Sequence, residues 1–442
     1  MSTTLARIAE IAKERPKEKF TSLAHLLNED FLKECHRNME KEKAPGIDGI
    51  TKTDYGTNLD ENIADLVRRL KAKAYRPQPV RRVYIPKPGS DKGRPLGIPA
   101  YEDKIVQMGI AQILSAIYEA DFLDCSCGFR PNRGCHDALQ LLNHIIEDRK
   151  VSYIVDADIR GFFNNVDHEW MLKFVGHRVA DPSLLQLIAR FLKCGYMEDG
   201  QRQTSDRGTP QGGSVSAVLA NIYLHYALDL WFEKVVRKQC RGEAYMVRYA
   251  DDNVFCFQHQ SDAEAFYREM PERLGKFGLE IAPEKSKMIA FGRYASQQAE
   301  KKGTGKPETF DFLGFTHYCG KSRKGAFRVK RRTSRKKLKA ALLRTKEWLR
   351  ENMHGPIGVL LKELRIKLNG HNHYYGLTDN SDSLTRYARE TKKMLFICLN
   401  RRSQKASYTW EQFNRFLEKA KLPKPRIYVN IYERRPHIGY IT

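Results

Sequence analysis

Adjacent or nearly adjacent aspartates interrupt two runs of the sequence that are otherwise apolar. In VRYADDNVF, Asp251 and Asp252 stand side by side in a strand-forming run. Side chains alternate along a strand, so both carboxylates cannot share one face, and unpaired charges inside a sheet are costly. A tight hairpin turn at Asp251 and Asp252 removes the conflict, because both carboxylates then lie solvated at the tip.

The segment SYIVDADI supplies a second pair, Asp156 and Asp158. These residues are two apart, so their side chains lie on one face of a strand. Either carboxylate could complete a metal site with Asp251 and Asp252, since Mg²⁺ prefers oxygen ligands. Two such ions roughly 3.5–4 Å apart activate a 3′ hydroxyl and stabilise the departing pyrophosphate, which is the chemistry of nucleotidyl transfer.

A triphosphate substrate also needs cations, and IPKPGSDKGRP offers Lys87 and Arg94 on a predicted basic hairpin. From that segment alone, solvated turn charges are an equally good interpretation. The loop GTPQGGS lies between the two aspartate motifs, and its glycines allow the backbone to approach a ligand closely.

Periodicity indicates the elements that must position these residues. Helical spacing of apolar residues runs to about residue 75, and PVRRVYIPKPGSDKGRPLGIP predicts a two-stranded hairpin. A long amphipathic helix, SAVLANIYLHYALDLWFEKVVRK, precedes the YADD hairpin, with Ser214 or Ser216 as its cap. The composition changes near residue 320, where a basic segment begins, and helices are predicted beyond it.

The charge balance points to a polyanionic partner, because 77 Lys and Arg against 53 Asp and Glu give a net charge of +24. Nucleic acid is the first candidate and an anionic membrane the rival. No apolar run approaches the ~20 residues of a membrane span, and the N-terminus does not resemble a signal peptide. We therefore expect a cytoplasmic protein without a membrane partner. The 9 cysteines include no CxxC pair, which favours reduced thiols over a zinc site.

Six motifs follow one another as RPLGIP, GFRPNR, DADIRGFF, GTPQGGS, YADD and FDFLGF. In this order they make the chain resemble the reverse transcriptases encoded by bacterial group II introns. The resemblance also covers the N-terminal KFTSLAHLLNEDFLKECHRNMEKEKAPGIDGIT and the C-terminal GHNHYYGLT. It implies an α+β right-hand polymerase fold, in which fingers and a palm with a small antiparallel sheet precede an α-helical thumb and maturase region.

The implied domains divide the whole chain. We expect an N-terminal extension with a helical part of the fingers at 1–75, and fingers and palm at 76–320. A basic helical thumb and maturase region is expected at 321–400, and a nucleic-acid-binding tail at 401–442. The sequence ends at Thr442, so the resemblance is to short forms that lack the HNH endonuclease domain.

The resemblance assigns a role to each matching residue. Asp158, Asp251 and Asp252 match the catalytic carboxylates, which together with Ile159 would hold two Mg²⁺ ions. Phe163, five residues after Asp158, would block a ribose 2′ hydroxyl. The residues expected to bind dNTP are Lys87, Arg94, Ile159, Phe163 and Gln211.

Two further assignments are less specific. Either Lys285 or Lys287 could act as a general acid on pyrophosphate, and a plain surface role fits both equally well. The nucleic-acid contacts expected in the C-terminal third are Lys330, Arg331, Arg332, Arg335, Lys336, Lys337, Tyr374 and Tyr375, although aromatic residues at helical spacing are often core.

The function implied is RNA-directed DNA polymerase activity combined with maturase activity, in which the protein binds intron RNA to assist splicing and retrohoming. Its partners would be intron RNA, an RNA template with a DNA primer, target DNA and dNTPs, and it could be a monomer or a homodimer. A host-adopted or defence-associated reverse transcriptase is one alternative. A polymerase-inactive RNA-binding splicing factor is another, but such a protein has no need for clustered acids that repel phosphate.

Overall fold

The computed structural model describes residues 3–86, 93–204, 206–209, 212–402 and 408–433. Helices and small sheets alternate along the chain, which agrees with the expected mixture of α and β structure. The elements before the first aspartate strand are α1 (Thr3–Glu14), α2 (Glu29–Asn38), α3 (Lys52–Thr57), α4 (Leu59–Lys71), β1 (Val80–Ile85), β2 (Arg94–Ile98), α5 (Tyr101–Tyr118) and α6 (Cys135–Asp148).

The predicted basic hairpin is confirmed, because β1 and β2 pair antiparallel from Arg81↔Ile98 to Ile85↔Arg94. Strands β3 (Tyr153–Asp158), β4 (Tyr196–Glu198) and β5 (Gln201–Gln203) follow, with helices α7 (Phe162–Asn165), α8 (His168–Val175) and α9 (Pro182–Leu192) between them. The hairpin belongs to a sheet of order β2-β1-β4-β5. Arg94 therefore stands at the end of a strand anchored to a wider sheet.

The central sheet carries both aspartate motifs. It consists of β3, β6 (Ala244–Tyr249), β7 (Asp252–Phe257) and β8 (Lys287–Ala290), in the order β6-β7-β3-β8 with antiparallel pairing throughout. Its alternate side chains, among them Val155 and Phe255, are fully buried in the main core. The period-two pattern of the sequence thus fixes which face of β3 is left for carboxylates.

One long helix supports this sheet. It begins as α10 (Ser214–Leu224), passes through π-helical turns at His225–Asp229 and Phe232–Val236, and ends as α11 (Arg237–Gln239). Its N-cap is Gly213 without a side-chain hydrogen bond, so the predicted serine cap is wrong. By length and hydropathy Ser214–Gln239 could cross a membrane, but 78% of its most apolar window is buried inside the protein, as in a core helix.

The C-terminal part combines a three-stranded sheet with long helices. Its elements are α12 (Gln260–Gly275), α13 (Ala295–Lys301), β9 (Phe310–Phe312), β10 (Phe315–Lys321), β11 (Phe327–Thr333), α14 (Arg335–Glu351), α15 (Ile357–Tyr375), α16 (Ser381–Asn400) and α17 (Trp410–Ala420). The composition change near residue 320 falls within the β10–β11 hairpin, whose pairing continues to Lys321↔Phe327. The four long helices enclose a separate apolar cluster that includes Leu364, Leu395 and Phe413. All nine cysteines are free.

Candidate active site

Asp158 and Asp252 lie directly opposite each other on adjacent strands of the central sheet. Directly opposed residues of an antiparallel pair project their side chains to the same face, with Cβ atoms about 4.5–5.5 Å apart. Asp156, the alternative considered above, instead faces Val254 on β7 and Lys287 on β8. The pairing register therefore favours Asp158 as the partner of the YADD carboxylates.

The loop between β6 and β7 consists of Ala250 and Asp251, because Tyr249 pairs with Asp252. The predicted turn at Asp251 and Asp252 is thus wrong by one residue, and Asp252 is the first residue of β7. Ala250 has φ +57°, a conformation that a two-residue hairpin loop requires and that normally favours glycine. A strained loop of this kind is frequent at functional sites.

Negative charge is concentrated at this edge of the sheet. The pKa of Asp252 is raised to about 6. Burial is the larger cause, and repulsion from Asp251 and Asp158 is the smaller one. Loss of water and repulsion from Asp158 likewise raise the pKa of Asp251. Because Asp252 keeps an exposed surface, a cation arriving from solvent can relieve this repulsion.

Cations from β2, from α14 and from the segment before β8 act on the carboxylates. The positive charge of Arg94 on β2 partly offsets the rise in pKa of Asp251 and Asp252 that burial causes, and Lys337 on α14 does the same for Asp252. Lys285 lies closest, with its Nζ 2.7 Å from Asp158 Oδ2. The basic hairpin and the basic helix therefore both approach the aspartates, although the sequence separates them by hundreds of residues.

Lys287 does not share this position, because its Nζ donates to the Thr309 carbonyl at 2.6 Å. It stands opposite Asp156 in the sheet, and its charge opposes the effect of burial, which raises the pKa of Asp156 to about 7. The structure thus brings Lys285, rather than Lys287, to the edge where Asp158 and Asp252 meet.

Within the described ranges, no group of three or more His, Cys, Asp or Glu side chains is drawn together tightly enough to hold a metal ion. The donor set is nevertheless suitable in kind, because hard cations such as Mg²⁺ take carboxylate oxygens. Asp158, Asp251 and Asp252 repel one another, and Lys285 neutralises only Asp158. A bound divalent cation would relieve the remaining repulsion.

Phe163 lies in α7, five residues after Asp158, and lines a cavity of about 270 Å³. Its carbonyl accepts from the Thr209 amide at 2.8 Å, while the Gly208 amide donates to Val166 O at 2.7 Å. A Cβ on Gly208 would lie 2.9 Å from the Phe163 carbonyl oxygen, so glycine permits this close approach. The predicted glycine-rich loop is therefore docked on the segment after β3. Other residues lining the cavity include Arg82, Pro95, Gly97, Asn164 and Tyr196.

Three predicted substrate contacts require comment. Lys87 and Gln211 lie outside the described residues. Ile159 is 4% exposed and its side chain packs in the main core, so its predicted metal and dNTP contacts stay predictions for its main chain. Only its main chain is available to the site.

The predicted nucleic-acid contacts divide by exposure. Arg331 is fully buried; it donates to Asn143 Oδ1 and to Val329 O, and its Nη1 lies 3.8 Å from Asp379. The prediction that it binds nucleic acid is therefore wrong, since β11 turns this side chain toward α6. Lys330 is half-buried, and the exposed members of the set are Arg332, Arg335, Lys336 and Lys337.

Tyr374 and Tyr375 lie at the end of α15, close to β10. The Tyr374 hydroxyl donates to Leu313 O at 3.0 Å, and the Tyr375 ring lies 5.3 Å from that of Phe315. Tyr374 is 37% exposed and Tyr375 is half-buried. Base stacking remains a prediction for both, and packing already accounts for much of their surface.

Sequence reasoning missed a buried polar group beneath the YADD loop, formed by Asn221, Asp229 and Arg248. The available signal was an arginine inside the apolar run AYMVRYA. Its two side-chain partners lie on the long helix, where nothing in the local pattern marks them.

The sequence profile of the family described as reverse transcriptase (RNA-dependent DNA polymerase) matches residues 85–317. The chain is 41% identical over 222 residues to the group II intron-encoded protein LtrA of Lactococcus lactis subsp. cremoris, covering 50% of this chain and 37% of LtrA. It is 31% identical over 246 residues to protein YkfC of Escherichia coli strain K12, covering 54% of this chain and 64% of that protein. The aligned regions thus span less than two thirds of these relatives.

Proposed function

Because the chain belongs to the family of reverse transcriptases (RNA-dependent DNA polymerases), we propose that it copies RNA into DNA by nucleotidyl transfer. The observation that carries this proposal is the meeting of Asp158, Asp251 and Asp252 at one edge of the central sheet. Arg94 and Lys337 act electrostatically on the same edge from separate elements. Such an edge suits a substrate that carries both metal ions and phosphates.

We assign the central sheet to the palm, the sheet of β1, β2, β4 and β5 to the fingers, and α14–α16 to the thumb. Asp158, Asp251 and Asp252 would hold two Mg²⁺ ions, with the Ile159 main chain beside them. Bound ions would activate the 3′ hydroxyl and stabilise the pyrophosphate. Lys285 lies beside Asp158. Its positive charge could also stabilise the negative charge of a substrate phosphate bound there.

The remaining pocket would bind the dNTP. Arg94 supports triphosphate binding because it is exposed and its charge reaches the carboxylates. Phe163 would exclude a 2′ hydroxyl by occupying the space next to the sugar. We also assign Lys87 and Gln211 to dNTP binding, and this assignment is supported only by their sequence motifs.

We further propose that the protein acts as a maturase for a group II intron, binding intron RNA to assist splicing and retrohoming. The printed name of the LtrA relative, a group II intron-encoded protein, supports this proposal. The exposed Arg332, Arg335 and Lys336 on β11 and α14 support it physically, because phosphate contacts need solvent-accessible cations.

The decisive experiment is extension of a DNA primer on an RNA template with dNTPs and Mg²⁺. The wild type should extend the primer and EDTA should abolish extension. Asp251→Ala should lower the rate by at least about 10²-fold, as expected when charge stabilisation at the reacting atoms is lost. Asp60→Ala, an exposed carboxylate in α4 whose side chain is 86% accessible, is the matched control and should extend normally.

Binding and splicing separate the two parts of the proposal. Asp251→Ala should keep its affinity for intron RNA and its stimulation of splicing, because it removes a polymerase group only. A wild type that binds RNA tightly but never extends a primer would instead identify a binding protein that retains polymerase motifs.

A further inference from the structure

A buried guanidinium lies beneath the Ala250–Asp251 loop. Arg248 is fully buried, and its Nε and Nη2 donate to Asp229 Oδ1 and Oδ2 at 2.8 and 2.5 Å. Its Nη1 donates to Asn221 Oδ1 at 3.0 Å and to the Ala250 carbonyl at 3.0 Å. One side chain thus connects the long helix to the loop that carries Asp251.

The second loop carbonyl is held in the same way. Asn253 faces Arg248 across the hairpin, and its Nδ2 donates to Asp251 O at 2.7 Å. Both carbonyls of the two-residue loop therefore accept from side chains of the residues that flank it. These bonds hold Ala250 at the positive φ that the loop requires.

The segment from Cys125 to Gly128 also contacts these residues. Asn221 Nδ2 donates to Gly128 O at 2.7 Å, and a Cβ on Gly128 would lie 2.2 Å from the Ala250 nitrogen. The Arg248 main chain also pairs with Cys125 O and the Cys127 amide, each at 2.8 Å. The GFRPNR motif, the long helix and the YADD loop thus meet around one arginine.

The π-helical turn at His225–Asp229 explains how the long helix supplies two partners. In a regular α-helix, residues eight apart are rotated by about 80° around the axis. A π-helical turn rotates less per residue than an α-helix, so the Asp229 side chain projects from nearly the same side of the helix as Asn221. Both side chains can therefore contact Arg248. Such turns occur often at functional sites.

We propose that Arg248, Asp229, Asn221 and Asn253 form a positioning unit, which sets the place of the Asp251 carboxylate and thereby the metal affinity and turnover of the polymerase. None of the four is a catalytic residue. A buried ion pair is not in general more stabilising than apolar side chains of similar volume, so its stability alone does not account for this arrangement. The inference rests on the proposed polymerase function for its kinetic test but not for its metal-binding test.

The critical variant is Arg248→Met combined with Asp229→Leu, which replaces the ion pair by apolar groups of similar size. It should still fold, because no charge is left buried without a partner. Asn221 Oδ1 and Ala250 O lose the Arg248 donor, so we expect the double variant to be less stable than the wild type. It removes the donor to Ala250 O, so kcat should fall by at least about 30-fold with KM for dNTP within about threefold. This split is the signature of a lost interaction in the transition state.

A matched control exists elsewhere in the core. Arg178 and Asp121 form an ion pair with side chains 3% and 14% exposed, and Arg178 donates to Glu18 O and Ala12 O at 3.0 and 3.1 Å. Arg178→Met with Asp121→Leu should leave kcat unchanged. Equal activity losses in both double variants, or full activity in the Arg248→Met double variant, would overturn the proposal.

Binding of Mn²⁺, followed by electron paramagnetic resonance, provides a test without turnover. Asn253→Ala removes only the donor to Asp251 O, so it is the milder change should the double variant fail to fold. We expect at least about tenfold weaker Mn²⁺ binding by Asn253→Ala than by the wild type. Unchanged Mn²⁺ affinity in this folded variant would overturn the positioning role. A wild type that binds Mn²⁺ but extends no primer would overturn the polymerase proposal alone.

Discussion

Lys285 Nζ lies 2.7 Å from Asp158 Oδ2, whereas Lys287, two residues later, donates to the Thr309 carbonyl. The first lysine precedes β8 and the second opens it. Because Lys285 lies before the strand and Lys287 lies within it, the first side chain contacts Asp158 and the second contacts Thr309. This relationship separates two residues that the motif PEKSK leaves equivalent.

Lys285→Ala should slow primer extension by about 10- to 10³-fold, because a positive charge beside Asp158 is lost where substrate phosphates are expected. Lys285→Arg should recover part of the rate, since it keeps the charge. Lys287→Ala is the matched control and should stay within about threefold of the wild type in single-turnover measurements. Equal losses for Lys285→Ala and Lys287→Ala would contradict this assignment.

Phe163→Val should raise incorporation of ribonucleotides relative to deoxyribonucleotides by about 10- to 200-fold. Removing the ring makes room for a 2′ hydroxyl, and steric discrimination of this size is typical of pocket contacts. The ratio of kcat/KM for rNTP and dNTP measures the effect. Phe162, which is buried beside it, is the control: Phe162→Val should lower stability and leave that ratio unchanged.

Arg335→Ala combined with Lys336→Ala should weaken RNA binding and reduce the slope of log K against log salt by about one to two units. Both side chains are exposed at the start of α14, so the folded state should be little affected. Titration of fluorescent RNA at several salt concentrations measures the change.

Arg331→Ala should behave in the opposite way. It leaves Asn143 Oδ1 without its donor and takes a positive charge from near Asp379, which still accepts from the Tyr432 hydroxyl. The change should cost about 1–3 kcal/mol of unfolding free energy. The salt slope of RNA binding by the folded protein should stay as in the wild type. A reduced slope without a loss of stability would show that Arg331 contacts RNA after all.

Acid should destabilise the C-terminal sheet through His317. Burial, followed by the positive charge of Arg331, lowers the pKa of His317 to about 3. A group with a lowered basic pKa contributes fully above its unfolded pKa of about 6.5 and loses that contribution as pH falls from there toward 3. The wild type should therefore lose about 2 kcal/mol between pH 7 and pH 5 through this residue.

His317→Phe tests this expectation, because the ring is buried and stacks on Phe310 at 4.8 Å, so a phenyl ring suits the same surroundings. The variant should lose less stability than the wild type between pH 7 and pH 5 in urea unfolding. His354→Asn, at an exposed histidine, should retain the wild-type pH dependence. The same dependence in all three proteins would exclude His317 as the cause.

Local patterns in the sequence determined much of the site. Alternation along SYIVDADI placed Asp158 on the strand face opposite the main core, and paired apolar runs predicted the YADD and basic hairpins that β6–β7 and β1–β2 form. These features depend on residues that are close in sequence, and a strand period or a hairpin turn is read directly from such neighbours.

Only the tertiary structure decided the features that depend on distant partners. The pairing of Tyr249 with Asp252 moved the turn by one residue, and the register of β3 against β7 placed Asp158, the residue that the motif resemblance assigns, directly opposite Asp252. Whether a basic residue is exposed or buried cannot be read from its type, because a buried charge is tolerated wherever the fold supplies partners. Arg331 next to Asn143, and Arg248 next to Asp229, are buried for that physical reason.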